Sequence, residues 1–178
     1  IPDFLDLRAS ARAFEELAAW SSASANLTGI EEPVALRGQY TTPGFFTMLG
    51  IRPALGRVPS AEEEHAGGPR VILLSYGLWK SRFGADPGIL GRSLVINGTP
   101  STVIGVLPRD FVFLAANVDL AGPLVIESDP RRTLRGAEFL RPLGRLRQGT
   151  TMAAATADLQ TTLARLRTSY PDTNSNKL

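Results

Sequence analysis

Residues 70–108 constrain the fold more than any other stretch. Val71-Ile72-Leu73-Leu74 is an apolar run, short enough for a buried strand and too short for a helix. Ser75 then supplies a hydroxyl that can accept a backbone N–H of a following helical turn. Tyr76, Trp79 and Phe83 lie three and four apart, which on a helix stacks three rings over one face, and Gly84 stops it. After Asp86-Pro87-Gly88, the runs Leu94-Val95-Ile96 and Thr102-Val103-Ile104 flank Asn97-Gly98, the dipeptide that best tolerates the positive φ angles of a tight hairpin. Strand, helix and hairpin in this order require a mixed α+β domain.

The flanks add elements to this centre. Residues 2–20 carry apolar side chains at helical spacing, with Pro2 suited to a first turn and a break near Ser10. Residues 23–28 and 34–40 read as strands of a hairpin around a turn at 29–33. Residues 41–50 read as a short helix turning Phe45, Phe46 and Leu49 inward, and residues 51–58, with Pro53 and Gly56, as an edge strand or irregular connection. Ser60-Ala61-Glu62-Glu63 is a capping box. Short strands are expected at 110–113 and 118–126, separated by Ala115-Ala116-Asn117. A polar loop follows at 129–136, then an edge strand at 139–147 around Pro142. From Met152 onward Ala155, Leu159, Leu163, Leu166 and Tyr170 form one apolar stripe, and Pro171 forbids further helix.

Composition excludes several functions. With 43% hydrophobic and 20% charged residues over 178 positions, the chain can bury a core, and a net charge of +2 is too small to argue for nucleic acid. No cysteine is present, so neither disulfides nor thiolate metal sites can form. No run approaches the roughly eighteen apolar residues of a membrane span, and no signal peptide opens the sequence. The chain starts at Ile1 and ends in a polar tail, and reads as a piece of a longer protein.

Ser75 stands between strand and helix as a hydrolase nucleophile would, but the first glycine of that elbow is missing, so a helix cap is the expected role. His65 follows three glutamates with no second His and no Cys, a poor metal set. The glycines of residues 84–91 lack the Lys-Ser or Lys-Thr of a phosphate loop. No catalytic, cofactor-binding or metal residue is assigned. Arg131, Arg132, Arg135, Arg141, Arg145 and Arg147 form the one charge concentration. It reads as a solvated face or, more sharply, as a surface for acidic partners or lipid headgroups. With Phe139 alone among them, stacking of single-stranded nucleic acid is not expected. Phe45, Phe46, Trp79 and Phe83 are expected in the core rather than around a ligand.

The order of several short phrases resembles a known family. Phe45-Phe46 with Leu49-Gly50, Leu55-Gly56-Arg57, Leu74-Ser75-Tyr76-Gly77-Leu78-Trp79, Arg82-Phe83-Gly84, Leu90-Gly91-Arg92, Ile96-Asn97-Gly98, Val103-Ile104-Gly105-Val106 and Tyr170-Pro171 are similar to the MacB-like periplasmic core domain of ABC transporter permeases, especially the duplicated acidobacterial type. The resemblance covers nearly the whole chain. It implies a porter-like subdomain of strand and helix units over residues 1–45 and 136–178, incomplete at its C-terminal end, with an inserted sabre-like mixed subdomain over 46–135. It further implies an inner membrane permease whose extracytoplasmic domain transmits ATP-driven movement during export. The partners would be an ABC ATPase subunit, a periplasmic adaptor and a second copy of the permease, with no nucleic acid. The alternative from another class is a stand-alone periplasmic ligand-binding or sensor module, recognisable by a cavity of roughly 300–1,000 Å³ with convergent polar groups. An extracellular hydrolase is a third.

Overall fold

The computed structural model describes residues 1–29, 32–112 and 118–175. Helix α1 (Pro2–Ser10) precedes strands β1 (Phe14–Thr28) and β2 (Val34–Thr41), followed by α2 (Phe45–Met48), β3 (Leu55–Gly56), β4 (Val71–Leu74) and α3 (Tyr76–Phe83). Strands β5 (Ser93–Ile96), β6 (Thr99–Val106), β7 (Leu120–Pro123) and β8 (Arg141–Leu146) lead to helices α4 (Met152–Ser169) and α5 (Pro171–Asn174). Single 3₁₀ turns lie at Ala61–Glu64, Pro87–Ile89 and Ile126–Ser128.

All eight strands join one mixed sheet, in the order β2-β7-β4-β6-β5-β1-β8, with β3 added to β6. Because β1 also pairs with β2, six of these strands close into a ring, which leaves β8 and β3 as the edge strands among the described residues. β1 makes this possible by its length of 15 residues. Its first half pairs with β8, from Phe14↔Leu146 to Trp20↔Arg141, and its second half pairs with β2 and, at Leu27 and Thr28, with β5.

The apolar run at 71–74 occupies the centre of this arrangement. β4 runs parallel to β6 and antiparallel to β7, and all four of its residues are buried, as a strand covered on both faces must be. Val71 and Leu73 face one core with Trp20, Phe45, Phe46 and Met48, while Ile72 and Leu74 face a second with Leu27, Leu36, Val103 and Leu120. Helix α2 therefore covers one face and α3 the other. Phe45 and Phe46 are fully buried. Trp79 and Phe83 are partly buried against the second core, and the Trp79 indole N–H donates to the Asp86 carbonyl at 2.9 Å.

The central stretch forms as its residues require. The Ser75 hydroxyl accepts the Leu78 N–H at 3.1 Å and Gly84 ends α3 in the left-handed region. The β5–β6 hairpin turns on Asn97 (φ 49°) and Gly98 (φ 75°). Gly56, at φ 75°, lets β3 lie against β6; a Cβ there would sit 2.2 Å from the Ile104 carbonyl.

Four expectations need correction. Residues 14–20 are strand, not helix; α1 stops at Ser10. Asp110, Phe111 and Val112 form no strand, while Phe113 and the separator Ala115-Ala116-Asn117 lie outside the described residues. In the span 118–126 only Leu120–Pro123 is strand. Pro171 ends α4 but opens α5, where its lack of an N–H is harmless in a first turn. Pro142 does sit on β8, which pairs only with β1 among the described strands.

Candidate functional site

Ser75 and His65 are each engaged in local structure. The Ser75 hydroxyl is taken up by the α3 cap. The His65 ring lies 3.1 Å from Glu127, both side chains about half exposed. Beside His65, two glutamates of one 3₁₀ turn behave oppositely. Glu63 receives both arms of the Arg57 guanidinium, at 2.6 and 2.7 Å, and the Ser60 N–H at 2.8 Å, so its carboxyl is held below the usual range. Burial pushes the Glu64 carboxyl up, against the one Gly44 N–H it accepts at 3.3 Å. Among the described residues no group of three or more acidic, His or Cys side chains could hold a metal.

The six arginines of 131–147 are drawn into separate contacts within the chain. Arg131 forks onto Asp129 at 2.9 and 2.7 Å and stacks 3.5 Å above the Phe139 ring. Arg132 donates to the Glu127 carbonyl at 3.3 Å. Arg135 pairs with Asp3 and, at 2.8 Å, with Asp6, under the Tyr170 ring at 3.6 Å. Arg141 lies over Trp20 at 5.0 Å, Arg145 donates to the Met48 carbonyl, and the Arg147 Nε donates to the Arg12 carbonyl at 2.9 Å. These contacts are with different parts of the chain.

A different cation group is brought together by the pairing of β1 with β8. Because the Arg147 N–H bonds the Ala13 carbonyl at 3.0 Å, the end of β8 meets the α1–β1 connection, and α4 closes over it through Asp158, which accepts the Ala13 N–H at 2.9 Å. The result is a cleft of about 1040 Å³ walled by Arg8, Arg12, Arg147 and Arg165, with Glu15 and Glu16 also on its wall. Of these arginines only Arg147 belongs to the charge concentration visible in the sequence. A second cavity of about 540 Å³, beside β2, β4 and β7, is lined by Tyr40, Arg70, Asn97 and Ser101 and by the mutually paired Asp129 and Arg131.

Comparison with known proteins agrees with this architecture. The family described as MacB-like periplasmic core domain matches residues 1–162. The fold is similar to the periplasmic region of MacB from Actinobacillus actinomycetemcomitans, with a TM-score of 0.69 and 16% identity over 97% of this chain and 75% of that one. It is also similar to the extracellular domain of the noncanonic ABC-type transporter YknZ from Gram-positive bacteria, with a TM-score of 0.70 and 15% identity over 97% of this chain and 84% of that one. No curated protein matches the sequence significantly.

Proposed function

The chain belongs to the MacB-like periplasmic core domain family, and from that membership we propose that it acts as the extracytoplasmic lever of an ABC transporter permease. It is the periplasmic core domain of such a permease. In this reading ATP hydrolysis on a separate nucleotide-binding subunit moves the membrane-embedded part of the transporter. This domain passes that movement to a periplasmic substrate or partner in export, working as a pair and with an adaptor. Residues 1–45 and 136–178 form the porter-like part and 46–135 the sabre-like part.

The observation that carries the reading is that one sheet runs through both parts. β1 pairs with β5 at Leu27 and Thr28 and β2 pairs with β7 from Gly38 to Thr41, so hydrogen-bonded ladders join residues 1–45 to 46–135, which supports a body that moves as one. A chain built to close on a ligand needs a hinge instead. Spin labels at Gln160→Cys on α4 and Ser93→Cys on β5, placed in the full permease with its ATPase, test this. The distance within the domain is expected to change by less than about 2 Å between nucleotide states, while the distance between two copies changes by more. Hinge opening within the domain would overturn it. The arginine cleft favours an additional ligand-binding role.

A further inference from the structure

The α1–β1 connection is held from two sides by guanidinium groups that are only partly used. Arg147 spends its Nε on the Arg12 carbonyl, and Arg165 spends one Nη on the Ser10 hydroxyl. Both anchors lie within three consecutive residues, and Arg12 adds its own side chain to the same cleft. None of these three arginines, nor Arg8 beside them, forms an ion pair among the described residues. Elsewhere in the molecule Arg37, Arg57, Arg131 and Arg135 all hold carboxylates. The acids of the cleft offset most of its charge but not all of it: four guanidiniums face the three carboxylates of Glu15, Glu16 and Asp158.

A hydroxyl adds to this set. Thr162 lines the cleft; its hydroxyl makes no hydrogen bond to the described residues and is not itself enclosed, whereas Thr161 and Thr168 on the same helix both bond a carbonyl four residues earlier. It is therefore open to a group seated in the cleft.

We propose that the cleft between α1, the start of β1 and α4 binds a phosphate ester, held by Arg12, Arg147 and Arg165 with the Thr162 hydroxyl. Several planar forks suit a dianion with three acceptor oxygens better than a single carboxylate. Phe14, Leu17 and Pro43 on the same wall offer apolar surface to the organic part. This assignment is independent of the lever reading, since binding can be measured without transport.

Isothermal titration of the 178-residue chain with inorganic phosphate, glycerol 3-phosphate and dihexanoyl phosphatidic acid tests it. The two esters should bind saturably, one per chain, more tightly than inorganic phosphate and more weakly as salt is added. Arg147→Lys, which keeps the charge but loses the fork, and Arg165→Gln should each weaken binding about tenfold, as loss of a charge-assisted hydrogen bond does. Thr162→Val should weaken it less, and Arg52→Gln, outside the cleft, not at all. Tighter binding of phosphatidic acid than of glycerol 3-phosphate assigns a lipid source; equal binding assigns a soluble ester. Absence of saturable binding, or binding unchanged in Arg147→Lys and Thr162→Val chains that melt like the parent, would overturn the proposal.

Discussion

The strand ring and the helical end of this molecule are held by different forces. Around β4 the side-chain packing is mainly apolar: Leu73, Leu74, Val103, Val106 and Leu120 are fully buried, and the two cores meet across one strand. At the other end, α4 buries only Ala155, Thr162 and Leu166 over 18 residues. Beside a small apolar cluster of Ile1, Phe4, Ala19 and Ile126, what joins α1, the 129–136 loop and α5 there is a polar knot. Arg135 reaches Asp3 and Asp6 on α1 beneath Tyr170, and the fully buried Asn174 donates to Asp3 at 2.9 Å. Apolar burial is not screened by salt and has no directional demand, whereas a guanidinium knot is directional, screenable and replaceable.

The largest effect that would break this contrast is expected in the ring. Leu73→Ala should destabilise the whole domain by about 2–5 kcal/mol, the range for a large-to-small change at a site with no room to collapse. Chemical denaturation read by both far-UV and tryptophan signals should show one cooperative transition shifted to lower denaturant. Arg135→Ala should cost less, about 2 kcal/mol. Hydrogen exchange should locate that loss in α1 and α5 while β4 and β6 amides stay protected. Equal loss of protection in both regions would show that the knot is part of the main core and that the two ends are not separable.

How much of this was legible follows the same division. The ring's centre was readable because its local signals agree: a four-residue apolar run, a serine cap, Asn97-Gly98. Residues 14–20 of β1 are not legible as strand because Leu17, Ala18, Ala19, Trp20 and Ser21 are all buried. A strand covered on both faces loses its alternation, and Phe14, Leu17, Ala18 and Trp20 then mimic helical spacing. The cleft is illegible for the same reason. Arg8, Arg12, Arg147 and Arg165 are distant in sequence, and only the β1–β8 ladder brings them together. The cluster at 131–147 was conspicuous as a charge run, yet sequence does not reveal that Asp129, Asp3, Asp6 and the Phe139, Tyr170 and Trp20 rings stand ready to take up its members. Cap and turn chemistry is local and can be read; partners across the fold cannot.

A smaller effect sharpens the comparison within the ring's own border. The Ser75 cap closes α3 over the second core, and Ser75→Ala should cost about 1 kcal/mol, seen as a modest shift of the same single transition. If it instead loosened α3 alone, by exchange of the residue 78–83 amides, the helix would belong to the soft part of the molecule.

The smallest effect concerns the paired glutamates, which test whether charge can stabilise and destabilise within one turn. Glu63 has its carboxyl depressed by Arg57, so its contribution is present above the unfolded carboxyl range and is lost as pH falls through its lower folded value. Glu64 has its carboxyl raised by burial, so the folded state holds its proton more tightly than the unfolded chain. Ionising it costs stability as pH rises from the unfolded value through the folded one. At neutral pH, Glu63→Gln should therefore lower the melting temperature, while Glu64→Gln, which keeps an acceptor for the Gly44 N–H and removes the buried charge, should raise it, each by an amount worth about 1 kcal/mol or less. Below the carboxyl range both differences should vanish, because parent and variant are then equally neutral at these positions. A Glu64→Gln chain less stable than the parent at neutral pH would mean that the Gly44 amide needs the full negative charge. The turn would then resemble the guanidinium knot at the other end more than the apolar wall it adjoins.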